Sequence, residues 1–250
     1  MAVTDLLLEV DDLTVRFGGL TAVNQLSFRV SNGELLGIIG PNGAGKTTAF
    51  NAIAGAVQPT SGRIRIGART VSGLSPEKVA RSGIARTFQS VRLFKSMTVE
   101  ENVRLGAIAV CPSMSAAADR ANSVIRTLNM EALRESPVSV LPLADQKRVE
   151  IARGLALSPK LLLLDEMMSG LNQDETQEII DIIRQLNAEG LTIVVIEHVL
   201  KVIMDLSHRL LVLDQGELIA EGAPRTVMKD RRVVEAYLGR GAAQRFASGQ

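Results

Sequence analysis

The sequence predicts an α/β fold: a core built on a parallel sheet, an antiparallel β part at the N-terminal end, and an inserted helical segment. Three observations predict it. Glu34–Ile39, Leu161–Leu164 and Leu191–Ile196 are short, almost wholly apolar runs, the composition of strands buried on both faces. Those runs alternate with segments of helical spacing, the order that builds parallel sheets. Between about Ser96 and Ser158, helical spacing continues and strand signals are absent.

Taken in order, Leu6–Val15 alternates Leu6, Leu8 and Val10 and predicts a strand. Phe17-Gly18-Gly19 is a turn, Leu26–Val30 a second strand, and Ser31-Asn32-Gly33 another turn. Glu34–Ile39 is the first buried strand; Gly40–Thr48 is a glycine-rich loop, and Thr47–Val57 a helix. Gly62–Ile66 with Gly67 reads as an edge hairpin, and Pro76–Gly83 as a short helix with its stop. Val99–Ala109, Ala116–Leu128 and Gln146–Leu157 are the helices of the middle segment. Leu161–Leu164 restores a strand, Glu175–Leu186 is an amphipathic helix ended by Gly190, and Leu191–Ile196 is a strand again. Leu210–Leu213 and Glu217–Ala220 close a hairpin around Gln215-Gly216. The sequence has no internal repeat.

Composition removes several classes of function. With 250 residues the chain is long enough for one large domain, or a core plus a subdomain. A net charge of +1 provides no field to gather nucleic acid or anionic lipid. Aromatic residues make up 3% and tryptophan is absent, which argues against a base-stacking surface. Cys111, the single cysteine, excludes an internal disulfide and fits a reducing compartment. Asp5, Glu9, Asp11 and Asp12 interrupt the early apolar residues, so no signal peptide is expected. No apolar run approaches the ~20 residues of a membrane span. A role at a membrane therefore requires a partner that spans it.

The stretch Gly40-Pro41-Asn42-Gly43-Ala44-Gly45-Lys46-Thr47 matches the phosphate-binding pattern G-x-x-x-x-G-K-[ST], between a predicted strand and a predicted helix. Its glycines let successive backbone amides turn inward and cup phosphate oxygens, and the helix N-terminus adds positive potential. Lys46 is placed to reach the β- and γ-phosphates, Thr47 to ligate Mg²⁺, and Thr48 to lie beside it. The run Leu161–Leu164 delivers Asp165 and Glu166 to a strand end. Asp165 suits the Mg²⁺ shell and Glu166 the polarising of an attacking water. Two carboxylates also suit an ordinary solvated strand end; the phosphate loop favours the functional reading, because open α/β sheets bind ligands at the carboxyl ends of their strands. Ile193–Ile196 likewise delivers Glu197 and His198. His198 can meet a γ-phosphate or serve as a structural strand end. Gln89, in Arg86-Thr87-Phe88-Gln89, is by itself a loop glutamine.

The order of these elements resembles the ABC transporter ATP-binding subunits, over about Leu6 to Gly239. Phe17–Asn24 (FGGLTAVN), Gly83–Gln89 (GIARTFQ), Leu93-Phe94, Met97–Val103 (MTVEENV) and Glu235–Gly239 (EAYLG) look like the branched-chain amino acid importer ATPases. The resemblance implies a P-loop NTPase core of residues 1–95 and 159–239, including an antiparallel β subdomain, with a helical subdomain at 96–158 and a flexible tail at 240–250. It implies ATP and Mg²⁺ as cofactors, with Phe17 against adenine. Gln89 then touches Mg²⁺ or the lytic water, and Glu166, His198, Gln89 and Lys46 act in hydrolysis. It places Ser169-Gly170-Leu171-Asn172 in a dimer contact. Implied partners are integral-membrane transporter subunits, a second ATPase subunit packed head to tail and, indirectly, an extracytoplasmic solute-binding protein; nucleic acid is not among them. The implied location is peripheral, at the cytoplasmic face of the inner membrane.

The departures matter as much. Where the family usually has L-S-G-G-Q, this chain has Leu141-Pro142-Leu143-Ala144-Asp145-Gln146. Pro142 has neither hydroxyl nor N–H to donate. Asp145 either brings a like charge towards a triphosphate or caps the following helix. Met167 replaces the usual Pro after Glu166, and Asn172 the usual Asp of the dimer loop. These changes favour a heterodimer of unequal ATPases over a homodimer. Two other readings remain: an ABC ATPase outside transport, which usually has two cassettes or a long insert, and a regulatory subunit with weak hydrolysis.

Overall fold

The computed structural model describes residues 5–87 and 92–238. The chain divides into two compact units, Met1–Pro76 with Val194–Gln250, and Glu77–Ile193. The first unit begins with β1 (Leu6–Phe17), β2 (Leu20–Ser31), β3 (Leu35–Ile39), α1 (Lys46–Ile53), β4 (Ser61–Ile66) and β5 (Arg69–Thr70). The second comprises α2 (Pro76–Arg81), β6 (Ile84–Arg86), α3 (Val99–Ile108), α4 (Met114–Thr127), α5 (Leu143–Ala156), β7 (Leu161–Asp165) and α6 (Gln173–Ala188). The strand β8 (Thr192–Ile196) returns the chain to the first unit, which ends with α7 (Leu200–Leu206), β9 (Arg209–Asp214), β10 (Glu217–Gly222), α8 (Pro224–Val227) and α9 (Arg231–Leu238).

In the first unit an antiparallel sheet has the order β2-β1-β4-β5. The turn Gly18-Gly19 joins β1 to β2, pairing Phe17 with Leu20 and Val10 with Phe28. Leu8 and Val10 of the predicted alternation are buried while Leu6 is half-buried, and a register shift between Val10 and Leu13 changes the phase, so that Leu13 and Val15 are buried beyond it. The expected edge hairpin forms around Gly67: β4 pairs with β1 on one side and β5 on the other, so β5 is the outer strand. All five residues of β3 are buried, and β3 runs parallel to β9 with Ile38 opposite Leu211. Burying each Leu or Ile contributes about 1.5–3 kcal/mol. The hairpin predicted around Gln215-Gly216 forms β9 and β10, an antiparallel addition to parallel strands.

In the second unit β6 and β7 pair in parallel, with Arg86 opposite Leu163. The helix α3 starts on a capping box: Thr98 Oγ1 accepts from the Glu101 amide at 3.2 Å, and Glu101 accepts from the Thr98 amide at 2.8 Å. Arg120 of α4 donates to the carbonyls of Ala156 and Leu155 at 2.8 and 2.9 Å, satisfying the C-terminal end of α5. The helix α5 starts at Leu143 rather than at the expected Gln146, with Pro142 at the N-cap position. Asp145 is therefore not the cap. It lies in the first turn and pairs with Arg148 at 2.9 Å.

Candidate functional site

The loop between β3 and α1 is built by contacts that exclude side chains. A Cβ on Gly40, whose φ is +151°, would lie 2.1 Å from the Leu213 carbonyl. One on Gly45 (φ +96°) would lie 2.4 Å from the Ala22 carbonyl. Only glycine permits such an approach and such backbone angles. The turn after β9 joins in: the Gly216 amide donates to the Ala44 carbonyl at 3.1 Å, and the Asn24 amide to the Gly216 carbonyl at 2.8 Å. Gly43, by contrast, faces open space. Lys46 is buried and donates to the carbonyls of Gly40 and Pro41 at 2.8 and 3.0 Å, so its ammonium lies across the loop. Gly45 caps α1 without a side-chain hydrogen bond, leaving the first-turn amides oriented for an anion. Tyr237 of α9 meets the Gly40 backbone. Burial pushes this phenol up, and the backbone hydrogen bond partly offsets the rise.

Phe17 and His198 also belong to the first unit, and both are exposed. Phe17 ends β1 at the hairpin turn, where a ring can stack on a ligand. His198 follows β8, and its amide donates to Glu197 at 3.3 Å.

The second unit holds the carboxylates. Asp165 ends β7 and is fully buried; its Oδ2 accepts from Arg86 at 2.8 Å. Thr87, also buried, accepts from the Asp165 amide at 3.3 Å through Oγ1, while its own amide donates to the Leu163 carbonyl at 2.9 Å. Glu166 follows with φ +52°, a left-handed conformation that costs a non-glycine residue about 1–3 kcal/mol. Asn172 caps α6 through a reciprocal box with Glu175, at 3.0 and 2.9 Å. Gln89 lies outside the described residues.

A phosphate-cupping loop and a strand-end carboxylate pair are thus both present. Residues 23–169 match the family model described as ABC transporter, and residues 217–243 match a second, described as branched-chain amino acid ATP-binding cassette transporter. The chain belongs to the ABC transporter ATP-binding family. It is an ATPase. The high-affinity branched-chain amino acid transport ATP-binding protein LivG of Salmonella typhimurium is 40% identical, covering 93% of this cassette and 98% of LivG. The corresponding BraF of Pseudomonas aeruginosa is 39% identical over the same shares. The lipopolysaccharide export ATP-binding protein LptB of Escherichia coli is 34% identical over 93% of this cassette and 97% of LptB. Among solved structures, a nucleotide-free ATP-binding cassette of an ABC transporter superposes with a TM-score of 0.86 at 29% identity, covering 94% of this cassette and all of that chain. A cassette in its ADP conformation gives 0.85 at 30% identity, covering 94% and 99%.

Several residues that shape the phosphate-cupping loop of the first unit or the carboxylate pair of the second escaped the sequence. Ala22 and Gly216 brace the loop through backbone atoms, and backbone contacts leave no side-chain signature. Arg86 and Thr87 were visible only as neighbours of Gln89. Lys147 falls within the predicted helix Gln146–Leu157, which gives no sign that it is buried against the loop that follows β7.

Proposed function

We propose that this cassette powers an importer of branched-chain amino acids or similar small apolar solutes. The match of residues 217–243 to the branched-chain cassette model carries the reading. Nearly full-length identity to LivG and BraF supports it. ATP binds through Gly40, Pro41, Asn42, Gly43, Ala44, Gly45, Lys46, Thr47 and Thr48, with Phe17 stacked on adenine. Lys46 exchanges its loop carbonyls for phosphate oxygens. Glu166 polarises the attacking water, His198 meets the γ-phosphate, and Gln89 would touch the magnesium ion or the lytic water. Thr47 and Asp165 are hard oxygen donors, the donor chemistry of magnesium, and would hold that ion together with phosphate oxygens and water. When bound, the ion supplies neutralisation of phosphate charge.

Membrane-spanning subunits carry the solute, an extracytoplasmic binding protein delivers it, and the cassette works as a peripheral subunit at the cytoplasmic face of the inner membrane. No helix among the described residues is long and apolar enough to cross a membrane, in keeping with that division of labour. Two cassettes pack together, as in the solved dimeric post-hydrolysis cassette, which matches with a TM-score of 0.77 at 26% identity. Pro142 weakens the face offered to the partner's ATP, which favours an unequal partner. Because Arg148 offsets the charge of Asp145, the weakening comes from the missing hydroxyl and amide of Pro142.

The test is reconstitution with the cognate membrane subunits in proteoliposomes. ATP-dependent uptake of labelled leucine, isoleucine or valine is expected. Failure to assemble with those subunits, or transport of an unrelated solute, contradicts the proposal. For the pairing, Pro142→Ser with Asp145→Gln is expected to raise ATP-driven self-association, and no rise counts against the unequal dimer.

A further inference from the structure

The loop after β7 is held from one side by a single buried lysine. Lys147, in the second turn of α5, is 4% exposed. Its ammonium donates to the Met167 carbonyl at 2.7 Å and the Ser169 carbonyl at 2.6 Å, and reaches 3.5 Å from the Glu166 carbonyl. An ammonium has three protons to donate, and here they meet three carbonyls of one four-residue segment. Charge-assisted bonds of this kind are stronger than neutral ones. The segment needs such a hold. Glu166 is left-handed at φ +52° and Gly170 at φ +79°. The local turn bonds, Ser169 amide to Glu166 carbonyl and Leu171 amide to Met168 carbonyl, are long at 3.3 and 3.2 Å.

We infer that Lys147 is a positioning residue for hydrolysis, its ammonium fixing the backbone of Glu166–Ser169 and so the direction of the Glu166 carboxylate. This rests on Glu166 being the hydrolytic carboxylate. The link has a second consequence. Lys147 stands directly after the altered segment Leu141–Gln146, on the same helix. Any shift of the first turns of α5 therefore moves the loop that carries Glu166 in the same subunit. Misplacing a reacting group by about 1 Å costs about 100-fold in rate, so a clamp of this kind has leverage.

The full-length cassette tests it through Lys147→Met, Lys147→Arg, Glu166→Gln and the double variant Lys147→Met/Glu166→Gln. Amide hydrogen exchange across residues 166–171 is followed beside ATP turnover, the binding of a fluorescent nucleotide and the melting temperature. For Lys147→Met the expected result is at least tenfold faster exchange of the 166–171 amides. Turnover falls about 10- to 100-fold while KM and nucleotide affinity stay within about twofold. Lys147→Arg, which keeps several donors, restores most of the rate. Lys147→Met adds nothing to Glu166→Gln, because both act on one group. Should Lys147→Met fold poorly, Lys147→Gln, which keeps two N–H donors but loses the charge and the third donor, is expected to show the same changes to a smaller degree. Unchanged exchange at 166–171, or wild-type turnover in folded Lys147→Met beside an inactive Glu166→Gln, overturns the role of Lys147 alone. Wild-type turnover in Glu166→Gln overturns the underlying assignment of Glu166.

Discussion

Replacing Arg86 by Met tests how the second unit carries its buried charge. The Arg86 side chain is 7% exposed and that of Asp165 0%, with nitrogen and oxygen 2.8 Å apart. At an effective dielectric of about 20 the gross attraction at that distance is about 6 kcal/mol, most of it offset by the cost of drying both groups. Removing only the guanidinium leaves the drying cost of the carboxylate behind, which destabilises by about 3–5 kcal/mol. With a urea slope of about 3 kcal/mol per molar, the midpoint moves down by about 1–1.7 M. Removing both charges, in Arg86→Met/Asp165→Asn, is expected to recover most of that loss, because the recovered drying cost balances the lost attraction. The assay is equilibrium urea unfolding without nucleotide, followed by circular dichroism. A single variant within 0.5 kcal/mol of wild type, or a double variant no more stable than the single, would refute the argument that this pair sits in a low-dielectric interior.

Two further outcomes follow from the same physics. Gly43→Ala and Gly40→Ala should separate binding from folding: at Gly43 an added Cβ meets nothing, whereas at Gly40 it collides with the Leu213 carbonyl at 2.1 Å. Differential scanning calorimetry should show Gly43→Ala losing about 1–2 kcal/mol from its positive φ alone and Gly40→Ala losing clearly more, while nucleotide titration shows both binding weakly. The second concerns acid stability. Hydrogen bonds from Arg65 first, then Arg29, hold the Glu9 carboxyl below its ordinary value of 4.5. A depressed folded value means that the ion pairs stabilise the fold above pH 4.5 and that this contribution disappears as pH falls through the lower folded value. Acid titration of Glu9→Gln should therefore show lower stability than wild type at neutral pH and a shallower loss below pH 4.5; parallel curves would contradict the assignment.

The elements visible in the sequence were those whose burial is written in local pattern. The runs of β3 and β7 are apolar because both faces are covered, and all five residues of each are buried. The glycines of the loop were legible because the pattern is strict in spacing and flanked by a strand and a helix. What stayed hidden depends on distant partners. The strand β6 has only three residues, too few for a period to register. Helices α7, α8 and α9 have seven, four and eight residues, lengths at which packing rather than propensity decides. Arg86 and Lys147 carry no sequence signal of burial, and only the fold shows that each is buried against groups at least nineteen positions away. The sequence leaves Asp145 open between a helix cap and a like charge brought towards a triphosphate; the earlier start of α5 puts it in the first turn, where it pairs with Arg148. Asn172, noted as a departure in the dimer loop, is also the N-cap of α6.

The central claim, that Glu166 drives hydrolysis at a site whose nucleotide is held by the loop of Lys46, has one direct test. ATP turnover and nucleotide affinity are measured side by side on the purified cassette, as wild type and as Glu166→Gln, with the cognate partner subunits added. The account predicts magnesium-dependent turnover that falls at least about 100-fold in the variant while nucleotide still binds with wild-type affinity. Turnover that survives the change, or that disappears only because nucleotide no longer binds, would contradict it.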